Sequence, residues 1–367
     1  MKIHSHRLFA AALLCLGAPF FFSRPFAAEL RLLPAQRECF SSLPLTTLPH
    51  AEIDTGGNPM LRLPDGQEPA KKLTASFRNA PVAKSTAGMW NMTLLYPAYA
   101  YLPYPGAAAY EVELLAEYPD DSGSSPSPHR IFSKITALCN VYDSSPRIGT
   151  YYWRVRGLDK NGAAISDWSF PSLQRTSPSD QWQVGLYGDS ITHGGGHVTR
   201  GPSDPAYSYG TYLSFPAVNL AKSGDTMAML VDRFDRDVVP FHVRTLLIMG
   251  GINSIRAGEG AEKVIQGLET LRQKCMDHHI RPILLTLPPI NPERIRRVYH
   301  EAAAPDWQKA LDAVNAYIRS VPHIDTAAPF GEGPLAEDMA YDGLHGDPEM
   351  KRIIGAIINA HRQELGL

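Results

Sequence analysis

Ser190 sits in the stretch LYGDSITHGGG (186–196), directly after a short aromatic and β-branched run at 182–187. Such a run reads as a strand that stops where the glycines begin, so the serine falls on a sharp turn at the strand's carboxyl end. In open α/β sheets that end is where loops diverge and ligands bind. A hydroxyl there is a candidate nucleophile if the chain also supplies a general base, a group that fixes the base's tautomer, and donors for an oxyanion. The segment YDGLHGD offers the first two: Asp342 and His345 lie three apart across a glycine-containing turn. The carboxylate can fold back onto one imidazole nitrogen while the other faces outward. Two further segments offer donors, each following an expected strand: NLAKSGDT sets Gly224 in a tight turn, and IMGGINS sets the Asn253 amide behind Gly250 and Gly251. With the Ser190 backbone N–H they make three. Asp189, beside the nucleophile and with His193, Tyr207 and Arg294 a candidate to line the substrate pocket, is expected to brace the loop by hydrogen bonds rather than to move a proton.

Other residues near these segments invite weaker readings. His193 and His197 flank glycines without an accompanying carboxylate or thiol cluster, so they are expected to line a pocket and not to bind metal. Tyr207, Tyr209 and Tyr212 can stack on sugar rings or simply pack. Arg294, Arg296 and Arg297 lie with Tyr299 and His300 in what reads as a long loop after LPPINP. A charge run of this kind is a solvated face, or a rim that greets an acidic substrate, with Arg294 as the candidate contact. No cofactor motif is present, and nothing in the charge pattern suggests nucleic acid.

These residues need a scaffold, and the grammar of the chain changes near residue 181. From there to the end, apolar strand candidates at 183–187, 217–220, 245–249, 282–287 and 323–325 alternate with amphipathic helices. Met227, Leu230, Val231 and Phe234 form one helical stripe, and Val264, Leu268, Leu271 and Cys275 another. A helix follows Pro305, and Asp347 with Pro348 starts a last one through Ile353, Ile354, Ile357 and Ile358. Strand-helix alternation predicts a parallel sheet covered on both faces. Before residue 181 the pieces are strand-like, broken by proline, glycine and serine. Tyr151, Trp153 and Val155 alternate with Tyr152, Arg154 and Arg156, and Lys160-Asn161-Gly162 turns the chain, as in a hairpin of an antiparallel sandwich.

The chain has 367 residues, 44% hydrophobic, with a formal charge of −2, enough for two domains with real cores. Lys2, His4, His6 and Arg7 precede an apolar stretch at 8–22 and the small pair Ala27-Ala28. That layout is a secretory signal with cleavage expected after Ala28. An uncleaved anchor is the alternative, against which Pro19 and the short run argue. Export to the periplasm or beyond follows, without stable membrane insertion of the mature chain. Of the 4 cysteines, Cys15 leaves with the signal, Cys275 reads as core, and Cys39 and Cys139 could pair in an oxidising compartment.

Four segments in order resemble the GDSL or SGNH hydrolase superfamily: Gly188, Asp189, Ser190, Thr192 and Gly194; then Gly224; then Gly251 and Asn253; then Asp342 and His345. Ser254 departs from the pattern, since many members carry aspartate there. The resemblance implies a three-layer, flavodoxin-like α/β/α domain with Ser190 as nucleophile, His345 as base, Asp342 as its orienter, and Ser190, Gly224 and Asn253 as oxyanion donors. Residues 109–115 and 150–169 are similar to strands of fibronectin type III-like domains. The expected division is a signal at 1–28, an unassigned segment at 29–80, an all-β sandwich at 81–175 and the hydrolase at 181–367. The expected activity is removal of a short acyl group, acetyl first, from a carbohydrate. Lipase, lysophospholipase or thioesterase activity is the alternative, and a catalytically inactive carbohydrate-binding or adhesion protein is the alternative of another class; the N-terminal domain could bind glycan, with Tyr101 and Tyr104 as surface aromatics, order the pocket, or space it.

Overall fold

A computed structural model of the chain describes residues 79–84, 91–119, 126–194 and 204–367. The expected signal at 1–28, nearly all of the unassigned segment, Cys39 and His197 lie outside the described residues. The strands, in chain order, are β1 (Met92–Leu94), β2 (Ala98–Ala100), β3 (Ala109–Leu115), β4 (Arg130–Thr136), β5 (Asn140–Tyr142), β6 (Gly149–Leu158), β7 (Ser172–Thr176), β8 (Val184–Gly188), β9 (Ala217–Asn219), β10 (Thr245–Met249), β11 (Arg281–Leu285) and β12 (His323–Ile324). The helices are α1 (Ser190–His193), α2 (Met227–Asp237), α3 (Ile252–Arg256), α4 (Ala261–Asp277), α5 (Pro292–Tyr299), α6 (Trp307–Arg319) and α7 (Pro348–Ala360).

Two compact units result. One comprises Asn91–Ala98, Tyr142–Gly149 and Arg175–Leu367. Its six-stranded sheet runs β1-β9-β8-β10-β11-β12 with parallel neighbours throughout. Because every residue of β8, β9 and β10 is buried, these strands read as continuous apolar runs rather than alternating ones. All five strands expected after residue 181 form. The order matters for the site: β9 lies on one side of β8 and β10 on the other, so the loops leaving β8 diverge at a topological switch point.

Pairing of β1 with β9 corrects the expected domain boundary. Met92, Thr93 and Leu94 align with Ala217, Val218 and Asn219, and the Arg147 N–H donates to the Leu95 carbonyl at 2.8 Å. Parts of the 81–175 region therefore belong to the parallel-sheet unit, and the other unit does not precede it as an uninterrupted block. Three-residue strands bounded by irregular backbone carry no period by which a sequence can be read.

The other unit, among the described residues, contains Tyr99–Val141 and Thr150–Gln174 and is built on a four-stranded sheet, β4-β3-β6-β7. β3 pairs antiparallel with both β4 and β6. The expected alternation is present: Trp153 and Val155 enter a core with Tyr110, Val112 and Leu114. On the opposite face Glu113 meets Arg154 and Glu111 meets Arg156. Tyr101 is buried in the same core and donates its hydroxyl to the Leu138 carbonyl at 2.8 Å, which corrects its reading as a surface aromatic.

Candidate active site

The turn that carries Ser190 is shaped by close approach of backbone to backbone. Gly188 aligns with Met249 across β8 and β10, and a Cβ there would lie 1.9 Å from the Met249 carbonyl oxygen. Only glycine fits. Asp189 then caps α1, its Oδ1 accepting the Ile191 N–H at 3.0 Å, as expected for a bracing residue. A one-turn helix leaves its carbonyls without intrahelical partners. Here they are taken from outside: Asn219 Nδ2 and Ser208 Oγ donate to the Thr192 carbonyl at 2.9 and 2.6 Å, and Lys351 Nζ donates to the Ile191 carbonyl at 2.6 Å.

Ser190 Oγ lies 2.8 Å from His345 Nε2, and His345 Nδ1 lies 2.7 Å from Asp342 Oδ2. All three side chains are buried. A carboxylate accepts only, so Nδ1 carries the proton, Nε2 is left as the acceptor, and the serine hydroxyl donates to it. The arrangement is a serine hydrolase's relay, with the proton of Ser190 already directed at its base. Asp342 Oδ1 accepts the N–H groups of Leu344 and His345, both at 2.8 Å, which folds the intervening turn. Gly343 is required in it: its φ is +79°, and a Cβ would meet the Asn291 carbonyl oxygen at 2.5 Å.

A residue that the sequence did not mark as functional completes the group. The stretch after LPPINP is helix α5, not a loop; Asn291 caps it, accepting the Arg294 N–H at 3.0 Å, with Pro292 in the first turn. At its far end Tyr299 donates its hydroxyl to Asp342 Oδ2 and lies 3.2 Å from His345 Nδ1. Burial alone would push the Asp342 carboxyl up, but His345, Tyr299 and the backbone donors pull it well below the usual carboxylate range. Asn291 and Pro292 were the signal for the helix; nothing in the sequence says that its last residue reaches the triad.

The oxyanion candidates come from the loops on either side of Ser190. Gly224, at φ +92°, follows β9, and Asn253 lies in α3 after β10. The two loops meet, because Asn253 Nδ2 donates to the Asp225 carbonyl at 2.9 Å. Arg233 on α2 holds this corner. It donates to the Asp225 carboxylate, to the Leu220 carbonyl at 2.7 Å and to the Gly188 carbonyl at 3.0 Å. A buried arginine within an amphipathic stripe is indistinguishable in sequence from a surface charge. Ser254, the departure from the family pattern, is buried and accepts the Met227 N–H at 3.0 Å, supporting the first turn of α2.

Two pocket candidates are corrected. His193 is fully buried; its Nε2 lies 2.7 Å from the Tyr96 carbonyl oxygen and its Nδ1 3.1 Å from Ser223 Oγ. It ties the β1 segment to the residue before Gly224 instead of lining a pocket. Arg294 is mostly buried and pairs with Glu337 at 3.2 Å, so the expected rim for an acidic substrate loses its central cation. Tyr207 lies half-buried in one 3-10 turn, and Tyr209 lies buried in the next, with its hydroxyl donating to Thr192 Oγ1 at 3.3 Å. Among the described residues no group of three or more His, Cys, Asp or Glu is placed to hold a metal ion. No helix among them is long and apolar enough to cross a membrane.

Fold and relay together define a serine hydrolase of the parallel-sheet α/β/α class. Residues 186–353 match the family model of the GDSL-like lipases and acylhydrolases, and with the relay this match supports carboxylic ester hydrolase activity. Solved structures similar to the chain include a GDSL-like lipase from Bacteroides thetaiotaomicron, at 19% identity over 51% of this chain and 89% of that one, with a TM-score of 0.39. A lipase/acylhydrolase from Enterococcus faecalis is similar at 20% identity over 50% and 95%, with a TM-score of 0.40. An acetyl-xylooligosaccharide esterase from Geobacillus is similar at 20% identity over 51% and 94%, with a TM-score of 0.36. No curated relative matches the chain.

Proposed function

We propose that this chain is an exported serine esterase that removes a short acyl group, acetyl first, from a carbohydrate through an acyl-enzyme. The observation that carries the esterase chemistry is the aligned relay from Ser190 through His345 to Asp342. Ser190 Oγ attacks the ester carbonyl as its proton passes to His345 Nε2, and the new oxyanion is received by the Ser190 and Gly224 N–H groups and the Asn253 amide. Collapse expels the sugar hydroxyl, which takes the proton from His345. Water, deprotonated by the same imidazole, then attacks the acyl carbonyl and releases the acid and the free serine.

The carbohydrate substrate rests on context: an expected secretory signal and the antiparallel unit, read as a fibronectin type III-like module. Activity on p-nitrophenyl esters of increasing chain length tests the acyl preference, with acetylated oligosaccharides as the natural counterpart. The expected outcome is highest kcat/KM for acetyl and a steep fall by octanoyl. Rates that rise with chain length would place the enzyme with lipases or lysophospholipases instead.

A further inference from the structure

Lys351 stands close behind the triad without a step in that mechanism. It stands on the buried stripe of α7 with Met350, Ile354 and Ile358, at 0% exposure. A lysine in such a place loses its hydration, and an apolar residue of similar volume would fill the position at less cost. What the ammonium obtains is specific: Nζ donates at 2.6 Å to the carbonyl of Ile191, the residue after the nucleophile. The charged and titratable groups around it are Asp189 at the end of β8, Asp342 in the triad, and Asp347 at the start of its own helix. Tyr209, on the 3-10 turn against which α7 packs, faces Asp189. Asp189 Oδ2 is buried without a hydrogen-bond partner, so that carboxylate relies on charge in its surroundings.

We propose that Lys351 is a positioning residue for catalysis: its protonated ammonium, held on the Ile191 carbonyl, fixes the turn that aims Ser190 at His345 and balances the carboxylates behind the triad. The proposal rests on the esterase reading above. Burial pushes the ammonium down to about 7, against the opposing pull of the three carboxylates, while burial pushes Asp189 and Asp347 up to about 6. The sign follows. Lys351 loses its charge as pH rises through neutrality, so the aim of Ser190 and kcat fall on the alkaline side.

The test compares the full chain with Lys351→Met and Lys351→Arg on p-nitrophenyl acetate from pH 5 to 10, with Ser190→Ala as the blank. In the parent, kcat is expected to decline above about pH 7 to 8, with KM nearly constant. Lys351→Met is expected to lose about tenfold or more in kcat at pH 7 and to lose the alkaline inflection. Lys351→Arg, which stays charged, is expected to recover part of kcat and hold it to higher pH. If the Met variant folds with kcat and profile unchanged, the proposal is overturned. Should the variants not fold, 15N-lysine NMR of the Ser190→Ala protein gives the titration of Nζ directly; a midpoint that does not coincide with the parent's alkaline limb overturns it equally. Absence of any Ser190-dependent hydrolysis would instead remove the esterase reading itself.

Discussion

At the scale of single residues the arrangement of Ser190, His345 and Asp342 leaves each polar atom a defined partner. Asp342 Oδ1 is occupied by two backbone N–H groups, which leaves Oδ2 for His345 and Tyr299. Tyr299→Phe removes one donor from that oxygen and little else. The Asp342 carboxyl should rise toward its ordinary value of about 3.9. A carboxyl held low in the folded state contributes stability above its unfolded value, and that contribution is lost as pH falls through the folded value. The variant should therefore lose about 1 kcal/mol at neutral pH and unfold in acid at a higher pH than the parent. Acid titration followed by tryptophan fluorescence measures this, and coincident midpoints would show that the phenol does not act on Asp342. Ser190, Asp342 and His345 were legible because their chemistry demands fixed types at short offsets. Tyr299, Arg233 and Lys351 were not, since contacts over 43, 45 and 160 residues of chain leave no local pattern.

At the scale of elements, the site depends on strand ends that glycine brings close together. An alanine at Gly188 would press on the Met249 carbonyl and, at 2.6 Å, on Thr192 Oγ1, so β8 and β10 must part. Overpacking of ordinary side chains costs about 1–3 kcal/mol. Against fixed backbone the Gly188→Ala cost should exceed that range and abolish activity. Gly260→Ala, with no atom within 4 Å and an ordinary φ of −60°, loses a favoured N-cap residue but gains about 0.4–1 kcal/mol from a less flexible unfolded chain, so its net effect should be far smaller. Urea melts of the two variants decide it, and equal midpoints would contradict the packing account. Helical and strand periods after residue 181 were readable because each element is long enough to show its buried face. Helix α5 was missed because its eight residues carry one buried apolar side chain, Ile295, and so no stripe.

At the scale of the whole molecule, the parallel-sheet unit draws on two segments that precede its main body. Asn91–Ala98 supplies β1 and the buried Met92, Leu94, Leu95 and Tyr96; Tyr142–Gly149 supplies Tyr142, whose ring packs edge-on to His193. Burying each such apolar side chain contributes about 1.5–3 kcal/mol, so the four from the first segment approach the entire margin of about 5–15 kcal/mol that keeps a domain folded. A chain shortened to 175–367 should therefore fail to give a cooperative thermal transition, although it holds every residue of the triad. A normal melt in circular dichroism would show that these segments are dispensable. Whether Ser190 is the nucleophile of an ester hydrolase is decided by p-nitrophenyl acetate hydrolysis by the parent and by Ser190→Ala. The substitution should cost about a thousandfold or more in kcat and leave the thermal melt unchanged. Equal rates in the two proteins would contradict it.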